Sequence, residues 1–184
     1  MSRVRRVVVG VSGSPASIRA LRVAADHARD QDVPLLAVQA WLPPGGDVAE
    51  RRAPSPELRA IWKRAALERL QGAINSAFGG YPTHISVEHV VARGPVGPVL
   101  LDIAGSPDDL LVIGAGTRGT FARFWRGRVT RYCQARARCL VLAVPPPAPG
   151  ATRWSRMNAW SFRRRELTAD QVLRDREQLG PAGR

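Results

Sequence analysis

Phosphate chemistry needs backbone N–H groups that approach an oxygen closely and cations beside them. One stretch of the chain has these residue types at suitable spacing. Gly114 follows the apolar run Leu110-Leu111-Val112-Ile113, and Gly127 precedes a helix expected from about Arg128 to Ala137. Gly114 lets backbone come near a ligand. A helix opening after Gly127 would turn free N–H groups and a positive dipole end toward an anion. Arg128 could add a two-pronged phosphate contact. Thr117 narrows the intervening loop if that position requires close approach or a positive φ. A second segment, Ser12-Gly13-Ser14, ends the first apolar run. Ser12 brings a hydroxyl, which does not hold Mg²⁺ as a carboxylate does. The pair of segments suits an anion better than a metal ion.

Other chemistries find less support. Ser12 and Ser14 lack the surroundings of a nucleophile elbow. His27 falls inside a helical stretch, and His84 and His89 fall on a strand pattern, none at metal spacing from another His or Cys. Asp108 and Asp109 read as a turn before a strand. Cys133 and Cys139 are six residues apart and form no C-x-x-C pair, so burial as reduced thiols is the expectation. No catalytic residue is assigned and no metal site is expected.

The charge distribution points the same way. The formal net charge is +13 over 184 residues. Residues 1–109 hold thirteen Lys/Arg and eleven Asp/Glu, whereas residues 110–165 hold twelve Arg and no acid. A single-sign block of this kind attracts phosphate, nucleic acid or an acidic protein surface. Phe121, Phe124 and Trp125 interleave with Arg118, Arg123, Arg126, Arg128, Arg131, Arg136 and Arg138. That mixture could stack nucleic acid, although packing of the aromatics onto a sheet is the simpler reading. Arg163-Arg164-Arg165 adds to the basic stretch.

Five strands and the helices between them position these residues. Arg6–Val11 is a β-branched run of the kind a buried parallel strand needs. Ser14 can cap a helix with Pro15 at its first position, and Ile18, Leu21, Ala25 and Ala28 give that helix a core stripe. Leu35–Trp41 reads as a second buried strand. The prolines and glycines of Leu42–Ser55 read as a loop. A long helix carrying Leu58, Ile61, Trp62, Ala65, Ala66, Leu70, Ala73 and Ile74 on one side follows. Ile85–Val90 alternates like an edge strand, Val96–Ala104 is a short helix, and Leu110–Ile113 and Cys139–Val144 are the last strands. The alternation predicts a doubly wound, Rossmann-like α/β fold with a parallel sheet in the order 3-2-1-4-5. Ligands of such sheets bind beyond the carboxyl ends of the strands at the switch point, here at Ser12–Ser14 and Gly114–Thr117. The domain is expected over residues 1–147. A basic tail over 148–184 carries Trp154, Trp160 and Phe162 and a short helix near 168–179. No apolar run reaches membrane-spanning length, and the reduced cysteines and absence of a signal peptide suggest a cytoplasmic protein.

Four segments in order resemble the universal stress protein family: Val7-Val8-Val9-Gly10-Val11-x-Gly13-Ser14-Pro15, Arg93-Gly94-Pro95-Val96, Asp108–Gly114 and Cys139–Pro145. The resemblance covers about Val4 to Pro145. ATP-binding members carry Gly, two residues, Gly, nine residues, Gly, then Ser or Thr. Gly114 and Gly127 match the first and third glycines, Thr117 replaces the second, Arg128 replaces the Ser/Thr, and Thr130 lies two residues on. Ser12 stands where the family's opening strand has Asp, and Val38 matches a residue that packs near the base. The resemblance implies a non-enzymatic stress-response regulator. Its altered nucleotide cleft would be built from Val11, Ser12, Val38, Gly114, Thr117, Gly127, Arg128, Val129 and Thr130. ATP or another phosphate-bearing nucleotide would be the ligand, without Mg²⁺. It also implies a homodimer paired through the last strand, residues 139–144. The alternative is a nucleic-acid or acidic-partner module using the Arg-rich surface of 110–165.

Overall fold

The computed structural model of the chain describes residues 4–80, 82, 85–115 and 123–146, with backbone only at 49 and 123–127. The tail over 148–184, its expected helix near 168–179, and Thr117, Arg118, Phe121 and His84 lie outside the described residues. So do the side chains of Arg123, Phe124, Trp125 and Arg126.

The elements run β1 (Arg6–Gly10), α1 (Pro15–Gln31), β2 (Leu35–Trp41), α2 (Gly46–Arg52), α3 (Pro56–Phe78), β3 (Val87–Arg93), α4 (Val96–Ile103), β4 (Asp109–Gly114), α5 (Arg123–Arg136) and β5 (Leu140–Val144). They form one parallel sheet in the order β3-β2-β1-β4-β5, as the alternation of strand and helix patterns predicts. β1 is central and fully enclosed: Val7, Val8 and Val9 have no exposed surface. Alternation along the strands sends Val7 and Val9 into one core with α1 and α3, and Val8 into the other with α4 and α5. Among the described residues, β3 and β5 are the outermost strands.

A half-buried ion pair fastens β1 to β4 at their amino ends. Arg6 Nε and Nη2 donate to the Asp109 carboxylate at 3.1 and 2.9 Å, and Nη2 also reaches Ile103 O at 2.9 Å. Asp109 is 3% exposed, so a charged partner is required there. The acid that reads as a turn residue is thus a structural lock at the start of β4. Its neighbour Asp108 keeps the turn role, its N–H donating to Ser106 Oγ at 3.3 Å.

Two expectations change between β2 and β3. The stretch Leu42–Ser55 is not all loop, because α2 occupies Gly46–Arg52. A helix of seven residues is too short to persist alone. Charge pairs hold this one: Asp47 and Glu50 both meet Arg93 Nη2 at 2.6 Å, and Glu50 meets Arg59 Nε at 2.6 Å. The second change concerns α3, whose apolar stripe is buried only from Ala66 onward, at Ala66, Leu70, Ala73 and Ile74. Leu58 is exposed, and Ile61, Trp62 and Ala65 are half-buried. The reason is length. The 23 residues of α3 span roughly 34 Å, while the seven residues of β2 span about 23 Å. The first turns of α3 outrun the sheet.

Candidate functional site

At the carboxyl end of β1, Gly10 pairs with Ile113 of β4, which sets the two switch-point segments side by side. Val11 follows, 4% exposed, its N–H donating to Val38 O at 2.8 Å. Gly13 then turns the chain at φ +74, a conformation glycine adopts without strain. That turn delivers Ser14 to the N-cap of α1, with Pro15 just inside the helix. Ser14 Oγ accepts from Ser17 N–H at 3.3 Å, and Ser17 Oγ donates back to Ser14 O at 2.9 Å. Ser12 closes the cluster. Its N–H donates to Ser17 Oγ at 3.2 Å, and its Oγ lies 3.0 Å from Ser14 Oγ. Three hydroxyls and the first turn of a helix therefore sit where β1 ends. This is donor chemistry for an anion, with the positive end of α1 behind it.

Gly114 ends β4 against the same turn. A Cβ at Gly114 would lie 2.7 Å from the carbonyl carbon and oxygen of Ala16 and 2.8 Å from Ser17 N. The glycine is thus required by the packing of β4 on α1, an account independent of any ligand. Val38 is 1% exposed and enclosed by the core that includes Val8, Leu36 and Val99. It lies beneath the switch-point segments as part of the core.

Gly127, Arg128, Val129 and Thr130 belong to α5. The helix begins at Arg123, five residues earlier than expected, so Gly127 lies within it and not just ahead of it. The free N–H groups of this helix consequently belong to the turn that opens at Arg123. Arg128 is exposed, Val129 is half-buried and packs on the core, and Thr130 is 9% exposed. Thr130 Oγ1 is buried without a hydrogen-bond partner. A threonine hydroxyl in a helix ordinarily bonds back to the preceding turn, so an unpartnered one is unusual. The segment that would join Gly114 to α5, residues 116–122, lies outside the described residues, and Thr117 with it.

Cys133 and Cys139 behave as structural thiols. Cys133 is fully buried between α5 and α4, its Sγ lying 4.0 Å from Gly97 O. Burial, with a smaller contribution from Cys139, pushes its thiol up to about 11. Burial is also the main cause raising Cys139. Gly97 meets the ring of Tyr132 as well, since a Cβ there would lie 2.6 Å from Cδ1. His27 lies within α1 and His89 on the edge strand β3. Among the described residues, no group of three His, Cys, Asp or Glu could hold a metal ion. No described helix is long and apolar enough to cross a membrane.

Sequence reasoning missed several contacts. Arg19 Nη1 donates to the carbonyls of Pro145 and Pro146 at 3.3 and 3.1 Å, and nothing local in the sequence signals it. Ser17 was readable in principle, because Ser-x-x-Ser across a helix start lets each residue bond the other.

The model of the universal stress protein family matches residues 3–145. No match was found among curated proteins. Among solved structures, the chain resembles the universal stress protein UspA of Lactobacillus plantarum, at TM-score 0.60 and 21% identity over 78% of this chain and 99% of that one. It also resembles a universal stress protein of Archaeoglobus fulgidus in complex with dAMP, at TM-score 0.50 and 23% identity over 78% and 99%. A third is a universal stress protein in complex with cAMP, at TM-score 0.50 and 24% identity over 79% and 100%.

Proposed function

Because the chain belongs to the universal stress protein family, we propose that it is a non-enzymatic regulator whose cleft between β1 and β4 takes a nucleotide without Mg²⁺. The observation that carries this reading is the hydroxyl cluster where β1 ends, with Ser12 Oγ and Ser14 Oγ 3.0 Å apart at the first turn of α1. A bound phosphate oxygen would take hydrogen bonds from these hydroxyls and from the opening turn of the helix. Exposed Arg128 supplies the cation where the family has Ser or Thr. The structural relatives complexed with dAMP and cAMP support a nucleotide as the ligand class. Ser12 in place of a carboxylate supports metal-independent binding. The residues in these roles are Val11, Ser12, Val38, Gly114, Thr117, Gly127, Arg128, Val129 and Thr130. Slow hydrolysis of a bound nucleotide is compatible with this reading, but no described side chain is assigned to it.

Calorimetry with ATP, dAMP and cAMP, each with and without Mg²⁺, tests it. Affinity unchanged by Mg²⁺, and at least about tenfold weaker in Arg128→Ala, is the expected result. No heat with any of the three would overturn the cleft and leave a partner-binding domain.

A second reading rests on a different observation. Arg128, Arg131, Arg136 and Arg138 are all exposed, and the stretch that holds them contains no acid. That surface fits an anionic macromolecule, either nucleic acid or an acidic protein.

A further inference from the structure

The amino end of the sheet, opposite the switch point, carries charged groups that the cleft does not use. α4 connects two parallel strands and so runs back against them. Its last residues and Gly105 therefore lie where β4 begins. α5 runs back in the same way before β5, which puts Arg136 and Arg138 at that end too. Between the ends of these helices opens a depression of about 380 Å³, lined by Leu101, Asp102, Ala104, Gly105, Arg136 and Arg138. A hollow of that volume is in the range of small-molecule sites.

Asp102, Arg136 and Arg138 are all exposed. They line one depression, yet among the described residues no ion pair joins the acid to either arginine. Opposite charges that share a hollow without meeting leave room for a molecule charged at both ends. Arg136 is held over the Tyr132 ring, 4.6 Å from its centroid. A guanidinium stacked on a ring keeps its N–H edge for a carboxylate. Helix backbone reinforces the acidic side. Leu100 O accepts from Ala104 N–H at 2.8 Å, and Ile103 O accepts from Arg6 at 2.9 Å. No described backbone N–H reaches the carbonyls of Leu101 and Asp102, which belong to the negative end of α4. Gly105 leaves them uncovered, since a Cβ there would lie 3.4 Å from Asp102 O and 3.8 Å from Leu101 O.

We propose that this depression binds a small zwitterion, a free amino acid with an apolar side chain, at a site separate from the nucleotide cleft. Its ammonium group meets Asp102 and the carbonyl end of α4. Its carboxylate meets Arg136 and Arg138, whose forked donors suit two carboxylate oxygens. Its side chain lies against Leu101 and Ala104, the apolar part of the lining. A simple anion would meet the two arginines but face Asp102, and a simple cation would face both arginines. A ligand carrying both charges satisfies all three side chains at once.

Calorimetry on the full chain, without nucleotide, tests the proposal. The probes are L-leucine, its N-acetyl derivative, which lacks the cation, its methyl ester, which lacks the anion, and inorganic phosphate. L-leucine is expected to bind at least about tenfold tighter than each of the others. Asp102→Asn is expected to erase the preference over N-acetyl-leucine. The double change Arg136→Gln with Arg138→Gln is expected to erase the preference over the methyl ester. All three side chains are exposed, and urea midpoints equal to the wild type's verify that the variants fold. A merely structural role for these residues would move neither preference. Equal affinity of the wild type for leucine and either derivative overturns the proposal, as does a preference that its matching variant keeps. Phosphate binding as tight as leucine's overturns it and leaves an adventitious anion site. No heat with about 10 mM leucine overturns it as well. The probe comparisons use the wild type, so they decide the matter whether or not a variant folds.

Discussion

Gly114 sits against Ala16 so closely that a Cβ on the glycine would lie 2.7 Å from the Ala16 carbonyl carbon and oxygen. The obstacle is helix backbone, which cannot swing aside as a side chain can. Gly114→Ala is therefore expected to destabilise the domain by about 1–3 kcal/mol through overpacking, with or without nucleotide present. Urea unfolding of the two proteins measures it. A loss of nucleotide affinity at unchanged stability would show instead that the glycine serves the ligand.

Thr130 makes the opposite prediction. In the free protein its hydroxyl is buried and unpartnered, so Thr130→Val, which keeps the shape, is expected to be neutral or to stabilise by about 1 kcal/mol. Nucleotide affinity in the same variant is expected to fall several-fold. Thermal unfolding and calorimetry on one preparation separate the two effects. Lower stability with unchanged affinity would count against Thr130 as a ligand group.

Glu50 is 7% exposed and lies between Arg59 and Arg93, each at 2.6 Å. Glu50→Ala leaves two arginines facing each other across the space the carboxylate filled. The expected outcome is loss of α2 as a persistent helix, read as faster amide exchange over residues 46–52 by about tenfold or more, with β1 and β4 unchanged. Equal protection in the variant would mean that α2 is held by something other than its ion pairs.

The Cys133 thiol, raised to about 11 by burial, implies a window of alkaline sensitivity. Unfolded, the group ionises near 9. Below that pH it is protonated in both states and its contribution is fully present. Between about 9 and 11 only the unfolded state releases the proton, so stability declines as pH rises through that range. Melting temperatures of the wild type and Cys133→Ala across pH 8–11 should converge as pH increases. A constant gap would rule out this titration. At neutral pH the folded protein should also react slowly with thiol reagents, because the thiolate is the nucleophile.

Much of the fold is legible in the sequence because its strands are short, apolar and β-branched, and its first helix has the Ser14-Pro15 start. Charged clusters are harder to read. Asp47 and Glu50 look like loop acids until β3 brings Arg93 beside them, 46 residues away for Asp47. Asp109 looks like a turn residue until β1 brings Arg6. The long helix misled for a related reason, since an apolar stripe records which side faces inward but not where the sheet beneath it stops. For the site, the hydroxyl cluster around Ser14 follows from capping rules. The start of α5 does not, because Arg123-Phe124-Trp125-Arg126 carries no Ser, Thr, Asp, Asn or Pro to mark it.

Arg19 joins the last described residues to the first helix, its guanidinium holding the carbonyls of Pro145 and Pro146. It stands one turn below the Ser14 cap, on the helix whose backbone touches Gly114. The residues that follow β5 are thereby tied to the helix whose cap holds Ser12 and Ser14 at the switch point.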